Sequence, residues 1–243
     1  MIIKKEIIKL DNEKSVMQFL KQPTSKMAEA ITGILASDLK DWKLSAGKLV
    51  QSVIKGNFLT QLGREIEKYR AEGKIKEDYF ATHKNRATLY ELLKFLDEKI
   101  PDEELFAAMK SIFFSGISVD STQREEILAY EFLQTAKELS GTEILILKAN
   151  FEIAQGKMCE GISVERLKNS GNFRSNWRKI IAKQMGYENF DSIVIKYEEN
   201  LESLGIISPR LYLERLQNEF ETTQKFRLTE VGCKFCEFIT NYK

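Results

Sequence analysis

The sequence predicts a mainly α-helical chain: a helical N-terminal domain, then a smaller C-terminal domain with a short antiparallel β excursion. Three observations carry this reading. Apolar residues recur at spacings of three and four over most of the chain. Three prolines in 243 residues leave long stretches without a helix breaker. Helix starts and stops of suitable chemistry punctuate the pattern, among them Pro101-Asp102-Glu103-Glu104 and the TQRE run at Thr122 to Glu125.

Composition narrows the function classes. With 43% apolar and 30% charged residues the chain has an ordinary globular profile. Lys plus Arg number 37 and Asp plus Glu 36, so net charge does not point to nucleic acid, and only a local patch can. No run of about 18 apolar residues is present to span a bilayer. The opening MIIKKEIIKL carries Lys4, Lys5, Glu6 and Lys9 inside its apolar stretch, which argues against a secretory signal. The cysteines Cys159, Cys233 and Cys236 form an odd, sparse set, and a reducing cytoplasm is the expected location.

In chain order, Ile2, Ile3, Ile7, Ile8 and Leu10 suit a helix or an edge strand, with helix preferred, until Pro23-Thr24 breaks the chain. Helices are expected from Ser25 to Lys40 and from Leu44 to Lys55. Gly56-Asn57 then interrupts, and a further helix runs from Phe58 to Ala71 with Phe58, Leu62, Ile66 and Tyr69 on one face. Gly73 is placed as its C-terminal cap. From Thr82 to Lys99, Leu89, Leu92, Leu93 and Leu96 mark a buried face. Pro101 opens the next helix, where Asp102, Glu103 and Glu104 suit the positive helix start, and Leu105, Phe106, Met109, Ile112 and Phe113 follow. TQRE is a capping box for a helix running to Leu139, ended by Ser140-Gly141. A helix from Glu143 to Gln155 closes at Gly156. Residues 1–140 thus form one all-helical domain and 141–243 a second.

After the Glu143 to Gln155 helix, the second domain continues with a short helix from Ser163 to Lys168 and a turn at Ser170-Gly171-Asn172. Helices at Phe173 to Met185 and Asp191 to Leu204 follow, closed by Gly186 and Gly205. Ile206-Ile207, Ser208-Pro209, a polar stretch and a strand at Phe226 to Leu228 lead to a last helix from Glu230, with Thr229 placed to cap it. This order, with LESLGIISPR and FRLTEVG as its signposts, resembles a winged-helix domain. The matching positions are Leu201, Leu204, Gly205, Ile206 and Ile207, then Leu228, Thr229 and Gly232. The resemblance implies a C-terminal winged helix with a small antiparallel β-wing. A looser likeness, extending to Phe235, is to Abi-alpha-type bacterial proteins, which implies a role in abortive infection of phage-infected cells.

A winged helix that reads DNA lays its third helix in the major groove. Here that helix holds Asp191, Glu198, Glu199 and Glu202 against Lys196, and phosphates would repel it. The preceding helix is basic, with Arg174, Arg178, Lys179 and Lys183 and no acid; Arg166 and Lys168 lie upstream, and Lys225 and Arg227 near the expected wing. Arg174, Arg178, Lys179, Lys183 and Arg227 are therefore the candidate contacts to the duplex DNA backbone. The competing reading is that the basic helix pairs with the acidic one, within the chain or across a homodimer, while Trp177, Ile180 and Ile181 face the core.

Catalytic chemistry finds little purchase. Cys233 and Cys236 form a Cys-x-x-Cys, but a thioredoxin-type redox pair needs a βαβ setting and structural zinc needs four ligands. With Phe235 and Ile239 they read as the core of the last helix. His83 stands alone, without a partner motif for general-base work. No phosphate-cradling loop or dinucleotide signature is found. Neither a cofactor nor a metal is expected. Lys40 to Phe58 is amphipathic, with Leu44, Leu49, Val50, Val53 and Ile54 opposite Lys43, Lys48 and Lys55, and suits a core helix better than a membrane surface. The expected function is a non-enzymatic binding protein whose second domain contacts the DNA backbone or another protein. The alternative is a phage-defence effector acting through the helical first domain, at a membrane surface in one version.

Overall fold

The computed structural model describes residues 46–79, 82–157, 173–187, 191–208, 227–240 and 242. Among them are eight helices: α1 (Ala46–Ala71), α2 (His83–Glu98), α3 (Glu103–Ile117), α4 (Gln123–Ala136), α5 (Gly141–Ala154), α6 (Phe173–Gln184), α7 (Asp191–Ser203) and α8 (Glu230–Thr240). The expected helices before residue 46, the helix from Ser163 to Lys168, the turn at 170–172 and the strand residue Phe226 lie outside the described residues. The chain divides into two compact units, Met1–Pro101 with Ile112–Lys137, and Asp102–Ser111 with Glu138–Lys243.

In the first unit, α1 runs through Gly56, where the sequence suggested a break. A glycine inside a helix costs only about 1 kcal/mol, and the apolar spacing is continuous on either side. Leu62, Ile66 and Tyr69 are buried as expected. The helix ends at Gly73 (φ +67), which accepts the left-handed turn that a Cβ disfavours. There the Gly73 N–H reaches Arg70 O at 3.1 Å and the Lys74 N–H reaches Tyr69 O at 2.9 Å. The chain then bridges Ile75 to Ser118, and Lys76 Nζ donates to Glu126 Oε1 and to Ser121 O, both at 2.8 Å. Helices α2 and α4 pack together. Leu89, Leu92, Leu93, Phe95 and Leu96 are buried on α2, and Ala129, Phe132, Leu133 and Ala136 on α4. The TQRE box forms as expected, with Glu125 N–H to Thr122 Oγ1 at 3.3 Å and Thr122 N–H to Glu125 Oε2 at 2.9 Å. α4 stops at Ala136, short of Leu139.

In the second unit α5 is the central helix, with α6, α7 and α8 all packed on it. It is apolar on most sides, burying Ile144, Ile146, Leu147, Ala149, Phe151 and Ile153, as a helix enclosed by neighbours must. Its start differs from expectation. Ser140-Gly141 does not end α4; it begins α5 with a second capping box, Ser140 N–H to Glu143 Oε2 at 2.7 Å and Glu143 N–H to Ser140 Oγ at 3.4 Å. Asp102 likewise lies just before α3 and binds its Leu105 N–H through Oδ1 at 2.9 Å.

The expected winged helix with an antiparallel β-wing is not borne out. Among the described residues there is no strand, and the region holds a single isolated bridge, Ile207 to Leu228. Gly205 and Thr229 cap their helices as expected, but among the described residues they do not bound a strand. Gly205 (φ +69) closes α7, with the Ile206 N–H on Leu201 O at 3.1 Å. Thr229 Oγ1 accepts from the Gly232 N–H at 2.9 Å at the start of α8. Between these caps only short segments meet: the Ser208 N–H donates to Arg227 O at 2.7 Å, and the Thr229 N–H to Ile206 O at 3.1 Å. Gly232 has a packing reason, since a Cβ there would lie 2.0 Å from Ile206 O. The mainly α character of the prediction agrees with the fold.

Candidate functional site

The most unusual group of side chains in the second unit is a cluster of arginines and glutamates centred on α7. Val194, Glu198 and Leu201 follow each other at spacings of four and three, and all three are buried. Glu198 thus places a carboxylate in the middle of an apolar stripe. Its Oε2 accepts from Arg178 of α6, at 2.7 Å from Nε and 2.6 Å from Nη2. Its Oε1 accepts from Arg227 Nη1. Arg227 Nη2 binds Glu202 one turn along α7, and Arg227 Nε donates to Ser208 O at 3.0 Å.

The exposures rank the members. The side chains of Arg227 and Glu198 are 1% and 2% exposed, while that of Arg178 is 20% exposed. Two guanidiniums face two carboxylates, so the buried set is charge-balanced. A buried ion is tolerable only when its bonding capacity is met, and here Arg227 bonds through all three of its nitrogens.

The structure therefore brings together two of the five residues singled out for DNA contact, and turns both inward. Lys179 is exposed on α6, and Lys183 is half-buried. Arg174 lies in α6, but its side chain is outside the described residues, as are Arg166, Lys168 and Lys225. Trp177 and Ile181 are buried as expected, whereas Ile180 is only half-buried. Sequence reasoning counted Glu198 and Glu202 as charge that repels phosphate, while its competing reading, the basic helix paired with the acidic one within the chain, matches the Arg178–Glu198 contact. The signal was available in the apolar spacing of Val194 and Leu201, which puts position 198 on the inward face.

The remaining candidates are quickly placed. Cys233 and Cys236 are thiols buried in α8, outside any disulfide, and Cys236 Sγ lies 3.6 Å from Leu147 O. Burial, with smaller contributions from Cys233 and Glu237, pushes the Cys236 thiol well above its ordinary range. A nucleophilic or metal-binding thiolate needs the opposite shift. Cys159 lies outside the described residues, and among those described no cluster of His, Cys, Asp and Glu is arranged to hold a metal. His83 is exposed at the first position of α2. Of Lys40 to Phe58, residues 46–58 belong to α1, and no described helix is long and apolar enough to cross a membrane. Asn85 Nδ2 and Arg86 Nε are buried without a hydrogen-bond partner, but consecutive helical residues point about 100° apart, so they do not define one site.

Compared with protein-family models, curated proteins and solved structures, the chain matches none. The likeness to winged-helix domains is overturned by the absence of strands among the described residues, and no family match supports the likeness to Abi-alpha-type proteins.

Proposed function

We propose that this chain is a non-enzymatic binding protein that associates with other protein chains, not one that grips the DNA backbone. The observation that carries this reading is the pairing of Arg178 and Arg227 with Glu198 and Glu202. A guanidinium already held by buried carboxylates must give up those bonds before it can reach a phosphate. Backbone binding draws its affinity from free cations that displace counterions. Exposed apolar side chains on the second unit, Tyr187, Ile195 and Val231, suit protein contact better than phosphate contact.

The test is a duplex DNA titration across a salt series with the full chain. The reading expects weak binding at low salt, lost at physiological salt, with no change in salt slope for Arg178→Gln. Tight, salt-sensitive binding that weakens in Arg178→Gln or Lys179→Glu would return the chain to the DNA-binding class.

A further inference from the structure

We propose that the Glu198 cluster is an electrostatic latch that holds segments 206–208 and 227–229 onto α6 and α7, and that these segments open as a local unit while α5 stays folded. The two segments are joined by one isolated bridge, made of two backbone hydrogen bonds, too little pairing to be stable as a free ribbon. Their attachment comes from two sources. Ile206, Ile207 and Leu228 are buried, which supplies affinity without direction. Arg227 supplies the direction: its guanidinium reaches Ser208 O within the pair and Glu198 and Glu202 on α7. Through the Glu198 carboxylate it is tied to Arg178 on α6.

Glu198 is the shared element. Each of its oxygens holds a guanidinium from a different part of the chain, so its loss breaks both links at once. It also leaves Arg178 and Arg227, two cations, sharing Glu202 as their nearest remaining carboxylate in the cluster. Removing one member of a buried, mutually paired set is costly because it leaves a buried charge uncompensated. Arg178, being partly exposed, is the edge at which water enters first.

Hydrogen exchange of the full chain across sub-denaturing urea tests the latch. The Ser208 and Thr229 amides, which donate across the pair, are expected to exchange with little urea dependence. Amides in the middle of α5, such as Leu147 and Ala149, should show the steep dependence of global unfolding. Glu198→Gln should speed Ser208 and Thr229 exchange by roughly tenfold or more, the factor equivalent to about 1.4 kcal/mol. Leu92→Ala, a core change in the first unit, should leave those two rates unaltered. If Ser208 and Thr229 share the steep urea dependence of α5, or if Glu198→Gln does not speed them, there is no latch. If Glu198→Gln fails to fold, the urea dependence in the unaltered chain decides alone.

Discussion

Glu198 and Arg227 meet as a buried ion pair across 29 residues of sequence, Glu198 from the inward face of α7 and Arg227 from the segment leading into α8. Removing Arg227 leaves Oε1 of the buried Glu198 carboxylate without its cation, while Oε2 stays on Arg178. Arg227→Met is therefore expected to lower unfolding free energy by about 3–5 kcal/mol. Replacing both, as Glu198→Leu with Arg227→Met, should cost less than Arg227→Met alone, because no half-matched carboxylate stays buried at position 198 and the Arg178 left behind is partly exposed to water. Urea unfolding of the two variants checks the order. A double variant as unstable as the single would mean that packing, not charge, dominates at this position.

Asp102 joins the starts of two helices. Oδ1 accepts from the Leu105 N–H of α3 and Oδ2 from the Gly141 N–H of α5, each at 2.9 Å. A Cβ on Gly141 would lie 2.0 Å from Asp102 Oδ1. Gly141→Ala must therefore displace the carboxylate from both helix starts. The loss of two caps predicts destabilisation of about 1–3 kcal/mol. Thermal melts of Gly141→Ala and Asp102→Ala should give similar losses. A much smaller effect of Gly141→Ala would mean that Asp102 swings aside without losing its bonds.

Lys137 and Glu91 form the pair to watch on acidification, 2.5 Å apart and mostly shielded from solvent. Burial alone would push the Glu91 carboxyl up. The hydrogen bond and charge of Lys137, helped by Gln134 and Lys94, outweigh burial and hold it below the ordinary range. A carboxylate depressed in the folded state contributes stability above its unfolded pKa, about 4.3, and loses it as pH falls through the folded value. Glu91→Gln should thus destabilise the chain at neutral pH, with the difference from the unaltered protein shrinking as pH drops below about 4. A difference that stays constant across that window would show that the pair is not the cause.

Cys233 and Cys236 should resist alkylation in the native chain at mildly alkaline pH and react readily in denaturant. Cys236 is fully buried, and its thiolate is disfavoured by its surroundings. Peptide mass spectrometry over time distinguishes the two conditions. Fast native modification of Cys236 would contradict its place against Leu147.

What the sequence made legible follows from what local rules can see. Leu89, Leu92, Leu93 and Leu96 announced the buried face of α2 because a helix repeats its inward side every three to four residues. The Thr122 box, Gly73 and Thr229 were read from capping chemistry, which spans only a few residues. The Ser140 box was missed although its Ser-x-x-Glu spacing is the same, because Gly141 looked like a stop. The β-wing was misread because Gly205 and Thr229 serve equally as strand boundaries and as helix caps, and only tertiary pairing separates the two. The cluster was legible only in part: Val194 and Leu201 put position 198 on the inward face, but the spacing does not name the partners of Glu198. Arg178, Glu198 and Arg227 are 20 and 29 residues apart, and charge counting along one helix cannot show which charges turn inward.

Arg178 is bound within the chain by Glu198, and everything said of its partners rests on that bond. A double-mutant cycle on Arg178→Met, Glu198→Gln and the double variant measures this directly by urea unfolding. A coupling free energy of about 1–3 kcal/mol in favour of the pair is expected. A coupling indistinguishable from zero would contradict it and leave Arg178 available for an outside anion.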